Sequence, residues 1–321
     1  MKYKGNLYAG VDIGGTNIVA AVVKKDGRIV HLNRIATPRP STPSRVFAQA
    51  KELLHKVFEN AKVDAKNQIC SLGIGVAAEI DHRARRVHLA PNLGWRNISL
   101  GQYIRKIGLE DNIPIYVDND ANACAWGAYF VELKQKPKSL ICITLGTGVG
   151  GGIVLDGCVY HGFTSSAAEI GHIIVDPDGP RCRCGNRGCL EAYVGNSYLV
   201  ARAKKSKRLS PLWPDGPVTP QTIQLAARAG DKEAIAIWKE AGNKLGIAMT
   251  SLINVLNPEV ICFAGGLARA GSLLFAPMRR TVMEKAFPGL AHPVKFVVSR
   301  LGQNLGVIGT ALLAFDPSQR R

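Results

Sequence analysis

The sequence predicts an α/β protein, and three observations carry that expectation. Apolar, strand-like runs alternate along the chain with segments of helical periodicity, the pattern of sheets covered by helices. Two stretches share one plan: YAGVDIGGTNIVAAVVKKDGRIV (8–30) and SLICITLGTGVGGGIVLDGCVY (139–160) each run apolar strand, glycine turn, apolar strand, Asp-Gly turn. Asp-Gly between apolar runs marks a hairpin, and a unit used twice implies two related domains in one chain. The third is size: 321 residues, 46% of them hydrophobic, are enough for two ordinary cores.

The elements follow in order. After the first hairpin, SRVFAQAKELLHKVFENAK (44–62) places Val46, Phe47, Ala50, Leu53, Leu54, Val57 and Phe58 on one helical face. SLGIGVA (71–77) and IPIYVDND (113–120) read as buried strands ending in glycine-rich or polar turns. DKEAIAIWKEAGNKLGIAMTSLINVLN (231–257) reads as a long helix that Asn257-Pro258 stops, because a proline disfavours helical backbone in the residue before it. VICFAGG (260–266) is a short strand ending in paired glycines, and LGVIGTALLAF (305–315) an apolar helix rich in small residues. No low-complexity linker interrupts the chain.

Composition excludes several classes. No apolar run reaches the length of a membrane span, and MKYKGNLYAGVDIGG carries no apolar leader core, so a cytoplasmic protein with no membrane partner is expected. The net charge is +17 and the pI near 9.7, but the excess is diffuse apart from ARAKKSKR (201–208), Arg279–Arg280 and the terminal QRR. No aromatic residues interleave those basic runs, so solvated faces with some attraction for phosphate-bearing ligands are expected rather than nucleic-acid binding. Cys70, Cys124, Cys142, Cys158 and Cys262 are scattered among apolar residues and read as buried small hydrophobes. Cys182, Cys184 and Cys189 cluster instead, with His172 completing a set within eighteen positions.

Three glycine turns could meet a phosphate. In Asp12-Ile-Gly14-Gly15-Thr16-Asn17, glycines let backbone amides approach an anion, Thr16 adds a hydroxyl, and Asp12 makes sense beside phosphates by handling magnesium. The second turn, Leu145 to Gly152, contains Gly146, Thr147 and Gly148 and matches G-x-G-x-x-G through Gly151. A dinucleotide site needs a helix directly after that fingerprint, whereas IVLDGCVY continues as a hairpin. The P-loop pattern is absent as well. Two glycine hairpins could therefore grip one polyphosphate from opposite sides, with Gly265-Gly266 offering a flat surface for a nucleoside. The turn Asp118-Asn119-Asp120-Ala121-Asn122 supplies two carboxylates, Asp118 and Asp120, at the end of a buried strand; it could equally cap the helix ANACAWGAY.

Together, DIGGT, VDNDAN, LGTGVGGG, EIGH, CRCGNRGCLE and AGG resemble the ROK family of sugar kinases and repressors, within the actin-like, hexokinase and Hsp70 ATPase superfamily, from about residue 8 to 314. The resemblance implies two ribonuclease-H-like domains flanking an active-site cleft: residues 1–118, then 119–302 with a zinc-binding loop at 172–191. A C-terminal helix at about 303–316 would pack back on the first domain. It implies ATP and magnesium at Asp12, Gly14, Gly15, Thr16, Asn17, Gly146, Thr147, Gly148, Gly265 and Gly266. Of the two acidic candidates it selects Asp120 as the general base, and it places Asn119, Asp120, Glu169, His172 and Glu191 against the sugar hydroxyls. Glu169 and His172, three apart, would share a helical face. His172, Cys182, Cys184 and Cys189 form a Cys3His set that closes tetrahedral zinc with no open position, which disfavours direct metal catalysis. The zinc would instead orient His172 and Glu191.

The implied activity is transfer of the γ-phosphate of MgATP to a hexose, by a homodimer or homotetramer. The chain departs from the family at Ala77, Ala78 and Glu79, where Pro-Gly is common, and this opens the choice of hexose. APNLGWRNISL (90–100) resembles the glucokinase branch and favours glucose. The alternatives are another hexose or N-acetylmannosamine, polyphosphate as donor, or a non-catalytic sugar sensor or repressor. Only eleven residues precede Asp12, fewer than a winged-helix segment needs, so an enzyme is expected.

Overall fold

A computed structural model describes residues 6–107, 109, 113–206, 209 and 216–320. Lys207, Arg208 and Arg321, which belong to the basic runs, lie outside the described residues.

Two five-stranded sheets repeat one topology. The first contains β1 (Leu7–Ile13), β2 (Asn17–Lys24), β3 (Ile29–Ala36), β4 (Ile69–Val76) and β8 (Ile115–Asn119), in the order β3-β2-β1-β4-β8. β1, β2 and β3 pair antiparallel as successive hairpins, while β4 and β8 add in parallel. The second contains β9 (Ser139–Leu145), β10 (Val149–Leu155), β11 (Cys158–Val159), β12 (Val260–Ala264) and β13 (Lys295–Val298), in the order β11-β10-β9-β12-β13. Each sheet thus reads third, second, first, fourth, fifth. The repeated glycine hairpin in the sequence is the opening of this repeated sheet. A small antiparallel sheet of β5 (Glu79–Asp81), β6 (Arg86–Ala90) and β7 (Trp95–Ser99) lies between β4 and β8 in sequence.

The helical patterns resolve as their periodicity requires. The helix Pro43–Ala61 buries Val46, Phe47, Ala50, Leu53, Leu54, Val57 and Phe58, the face read from the sequence. They join Ala9, Val11, Ile18, Ala20, Leu72 and Ile74 in one core cluster. The helix Lys232–Leu256 starts at Asp231, whose carboxylate accepts the Glu233 and Ala234 amides, and stops at Asn257 in the left-handed conformation (φ 42°). The segment read as one terminal helix is divided: an α-helix at Leu305–Ala311, then a 3-10 turn at Leu313–Phe315. Trp126 Nε1 donates to the Leu312 carbonyl at 2.8 Å where the helix ends.

Among the scattered cysteines, Cys142 and Cys262 are buried, but Cys70, Cys124 and Cys158 are only half-buried, a correction to their reading as core residues.

The chain divides into two compact units: Met1–Cys142 with Gly152–Ala168 and Ser299–Arg321, and Ile143–Gly151 with Glu169–Val298. The first sheet ends at Asn119, next to the boundary drawn from sequence, whereas the compact units divide within β9 and β10. Among the described residues no helix is long and apolar enough to cross a membrane.

Candidate functional site

In the first unit, the turn between β1 and β2 carries Asp12 to Asn17. Gly14 closes it through its amide to the Asn17 carbonyl at 2.9 Å, and the chain after β3 braces it from outside. Thr37 Oγ1 donates to the Gly14 carbonyl at 2.7 Å and Arg39 to the Gly15 carbonyl at 2.7 Å. Thr16 remains exposed. Asp12, one residue before the end of β1, has its carboxyl held up to about 7, by burial first and by the charge of Asp120 second, against an opposing pull from Arg34. Two acidic groups therefore share one neighbourhood with too little positive charge to balance both. That donor set fits a bound cation.

Asp120 opens the helix Asp120–Gly127 directly after β8. Asn119 caps it: Oδ1 accepts the Ala121 and Asn122 amides at 2.8 and 3.1 Å, and Nδ2 donates to the Ala78 carbonyl at 2.9 Å. The residue expected at the sugar is thus a helix cap, and the loop Ala77–Glu79 touches it directly. Glu79 itself accepts from Ser166 Oγ at 3.2 Å.

The two candidate carboxylates now separate. Asp118 is completely buried and saturated: it accepts from the Asn119 amide at 2.7 Å, Asn122 Nδ2 at 3.0 Å, His161 Nε2 at 2.8 Å and Gln319 Nε2 at 2.6 Å. Asp120 is only part-buried and, among the described residues, takes backbone hydrogen bonds alone, including the Ala121 amide at 2.9 Å. Burial raises its pKa above the usual carboxylate range. A carboxyl with open oxygens and raised basicity can accept a proton; a saturated one cannot. His161, Gln319, Asp316 and His82 were not legible as site neighbours. They come from a loop, the chain terminus and a strand end, and no local pattern links them.

In the second unit, Gly146 to Gly148 form the turn between β9 and β10, closed by the Gly146 amide on the Gly148 carbonyl at 3.0 Å. Glu191 Oε2 accepts the Val149 amide at 2.9 Å and fills the space where a side chain on Gly148 would stand, 2.3 Å from its ideal Cβ. Gly265 has φ 91° and a Cβ there would lie 2.3 Å from the Leu145 carbonyl oxygen, so glycine is required; Gly266 faces open space.

His172 lies at the end of a 3-10 turn, Ile170–His172, that begins after Glu169, and its amide donates to the Glu169 carbonyl at 3.0 Å. One ligand atom from each of His172, Cys182, Cys184 and Cys189 lies within 4.8 Å of the others. His172 Nδ1 is 3.8 Å from Cys182 Sγ, and Cys184 Sγ is 3.6 Å from Cys189 Sγ. A tetrahedral ion with metal–sulfur bonds of about 2.3 Å sets its sulfurs about 3.8 Å apart, so the set fits such an ion. His172 Nε2 points away from the cluster, 4.0 Å from a Glu169 carboxylate oxygen. The apolar support is small, with Cys182, Cys189 and Ala192 packed against Tyr198. Asp176 ties the loop to the long helix through Lys244 at 2.7 Å and also accepts from the Tyr193 hydroxyl at 2.7 Å.

Residues 8–316 match the ROK family. The chain belongs to the ROK family. It is 35% identical to a glucokinase of Streptomyces coelicolor, over 97% of this chain and 98% of that one. A ROK family glucokinase from Streptomyces griseus, solved in complex with glucose and AMPPNP, superposes with a TM-score of 0.82 at 34% identity, covering 96% of this chain and 98% of that one. The xylose repressor of Bacillus subtilis is 26% identical over 98% of this chain and 78% of its own length. The fold is that of the actin-like ATPases to which ROK glucokinases belong, as the two matching sheets require.

Proposed function

We propose that this ROK protein is an ATP-dependent glucokinase that transfers the γ-phosphate of MgATP to the 6-hydroxyl of glucose. The observation that carries the reading is its full-length likeness to the Streptomyces coelicolor glucokinase.

Asp120 takes the proton of the attacking hydroxyl. It has basicity raised by burial and, among the described residues, oxygens free of side-chain partners, whereas both Asp118 oxygens are taken by hydrogen bonds. Asn119, Glu169, His172 and Glu191 hold the sugar hydroxyls; carboxylates suit this because they accept charge-assisted hydrogen bonds from neighbouring hydroxyls. The turn Gly14–Asn17, with Gly146, Thr147 and Gly148, holds the phosphates, and Gly265-Gly266 meets the nucleoside. Asp12 holds magnesium, directly or through water. Magnesium bound with the nucleotide supplies neutralisation of charge on the transferred phosphoryl group.

His172, Cys182, Cys184 and Cys189 hold zinc, a closed set with no place for a reacting water. Its consequence is positional: His172 Nδ1 is committed to the ion, Nε2 is left for a hydroxyl, and Glu191 is fixed two residues past the last ligand.

The test is ADP release with magnesium and ATP across a panel of hexoses and N-acetylhexosamines. Glucose is expected to give the highest kcat/KM. Another clear winner would reassign the substrate. Sugar binding without turnover would point to another donor, polyphosphate first, or to a sensor.

A further inference from the structure

Asp118 divides its two oxygens between different parts of the chain. Oδ1 takes the turn that follows it, through the Asn119 amide at 2.7 Å and Asn122 Nδ2 at 3.0 Å. Oδ2 takes His161 Nε2 at 2.8 Å and Gln319 Nε2 at 2.6 Å. The carboxylate thus bridges the Asn119–Asp120 turn and the end of the chain. We propose that His161 and the C-terminal segment Asp316–Gln319 form a latch on Asp118 that positions Asp120 for proton abstraction. The inference rests on the glucokinase reading, and it adds to it a control of rate by residues that touch neither sugar nor nucleotide.

The segment is anchored independently of Asp118. Asp316 is completely buried and accepts the Val159 amide at 3.3 Å, the Ser318 amide at 3.0 Å and the Ser318 hydroxyl. Gln319 is therefore presented from a fixed turn. Ser318 and Gln319 lie beyond residues 8–316, the span that matches the family.

The other half of the latch is built for charge. Burial works against a protonated His161, but the hydrogen bond and charge of Asp118, with the charge of Asp316, overcome it and hold the imidazole above its ordinary pKa; Arg83 opposes. His82 stacks on His161 with ring centroids 3.8 Å apart and planes at 22°. It is itself buried, with neither ring nitrogen hydrogen-bonded among the described residues. Burial first, then the charge of His161, with Arg83 adding and Asp118 and Asp81 opposing, hold His82 below its ordinary pKa. The two stacked rings are thus driven in opposite directions, His161 toward its protonated form and His82 away from it. Removing His161 takes away the imidazole that pairs with a buried carboxylate, and removing Gln319 takes away a neutral donor from the same oxygen, so either loss favours a shift of Asp118. Asp120, two residues along, moves with it.

The test compares Gln319→Leu, Gln319→Glu, His161→Gln and His161→Leu with the wild type. Gln319→Leu is expected to lower kcat by about 10-fold or more, since a displacement near 1 Å can cost about 100-fold in rate. The KM for ATP should stay within about twofold and the melting temperature near the wild-type value. Gln319→Glu, which sets a second carboxylate against Asp118, should fall further. His161→Gln keeps a donor and should retain more kcat than His161→Leu. Amide hydrogen exchange of residues 119–122 should be faster in Gln319→Leu. Unchanged kcat together with unchanged exchange overturns the latch, as does a loss of activity that only tracks loss of folded protein. If the wild type phosphorylates no sugar, the glucokinase reading fails. Exchange then decides the latch alone: faster exchange sustains it and equal exchange refutes it.

Discussion

The Glu191 carboxylate accepts the backbone amide of Val149 at 2.9 Å, so the residue that follows the cysteine cluster is fastened to the second glycine turn. This explains why Gly148 is glycine, since a Cβ there would stand 2.3 Å from Glu191 Oε2. Gly148→Ala should push Glu191 away. The expected result is a fall in glucose kcat/KM of about 10-fold to 100-fold, the worth of one charge-assisted hydrogen bond at 1.5–3 kcal/mol. Steady-state kinetics with varied glucose measures it. A change in the ATP KM alone would place the damage elsewhere.

Asp120→Asn should remove the base while keeping shape and the cap at Asn119. A positioned general base is worth about 100-fold to 10,000-fold, which is the expected loss in kcat. Glucose affinity by calorimetry should change little. Asp118→Asn, by contrast, should lower the melting temperature, because it disturbs a carboxylate with four partners. A near-normal rate in Asp120→Asn would transfer the base role away from it.

Asp12 makes the apo-protein less stable as pH rises. Its carboxyl is held at about 7 in the folded state, above the value of about 3.9 for an unfolded chain. Between these values the folded protein holds the proton that the unfolded chain has released. The stability fully present below about pH 4 is therefore lost progressively up to about pH 7. Asp120, also raised by burial, acts in the same direction. The urea midpoint of the wild type should fall across that window, and Asp12→Asn should flatten the fall. Parallel curves for the two proteins would contradict the assignment.

Cys184→Ser should release zinc, because Cys184 is the exposed member of a four-ligand set and a hydroxyl is a poor substitute for a thiolate. Elemental analysis should find less than one zinc per chain, with glucose affinity weakened about 10-fold or more, the usual range for disturbed metal supports. Most of the fold should survive, since the loop adds only a small cluster of its own. Full zinc content in the variant would refute the ligand set.

Much of the candidate site was legible because its signals are local. The two glycine turns, the cysteine cluster with His172, and the acidic turn at 118–120 each depend on residues close in sequence. Local chemistry alone does not separate Asp118 from Asp120: the family resemblance selects Asp120, and the physical difference lies in the distant partners His161 and Gln319 that occupy Asp118. The end of the terminal helix was likewise misread, since apolar periodicity continues through Leu312 while the hydrogen bonds change to a 3-10 turn.

By itself the sequence determined the α/β class, the repeated hairpin and the gathering of His172 with Cys182, Cys184 and Cys189, because periodicity, turn chemistry and close spacing act over a few residues. Tertiary structure decided the pairing of Glu191 with Val149, the saturation of Asp118 and the meeting of Asp12 with Asp120. Each joins groups that strand order and burial bring together. A carboxylate's basicity depends on what replaces water around it, and no spacing along a chain encodes that.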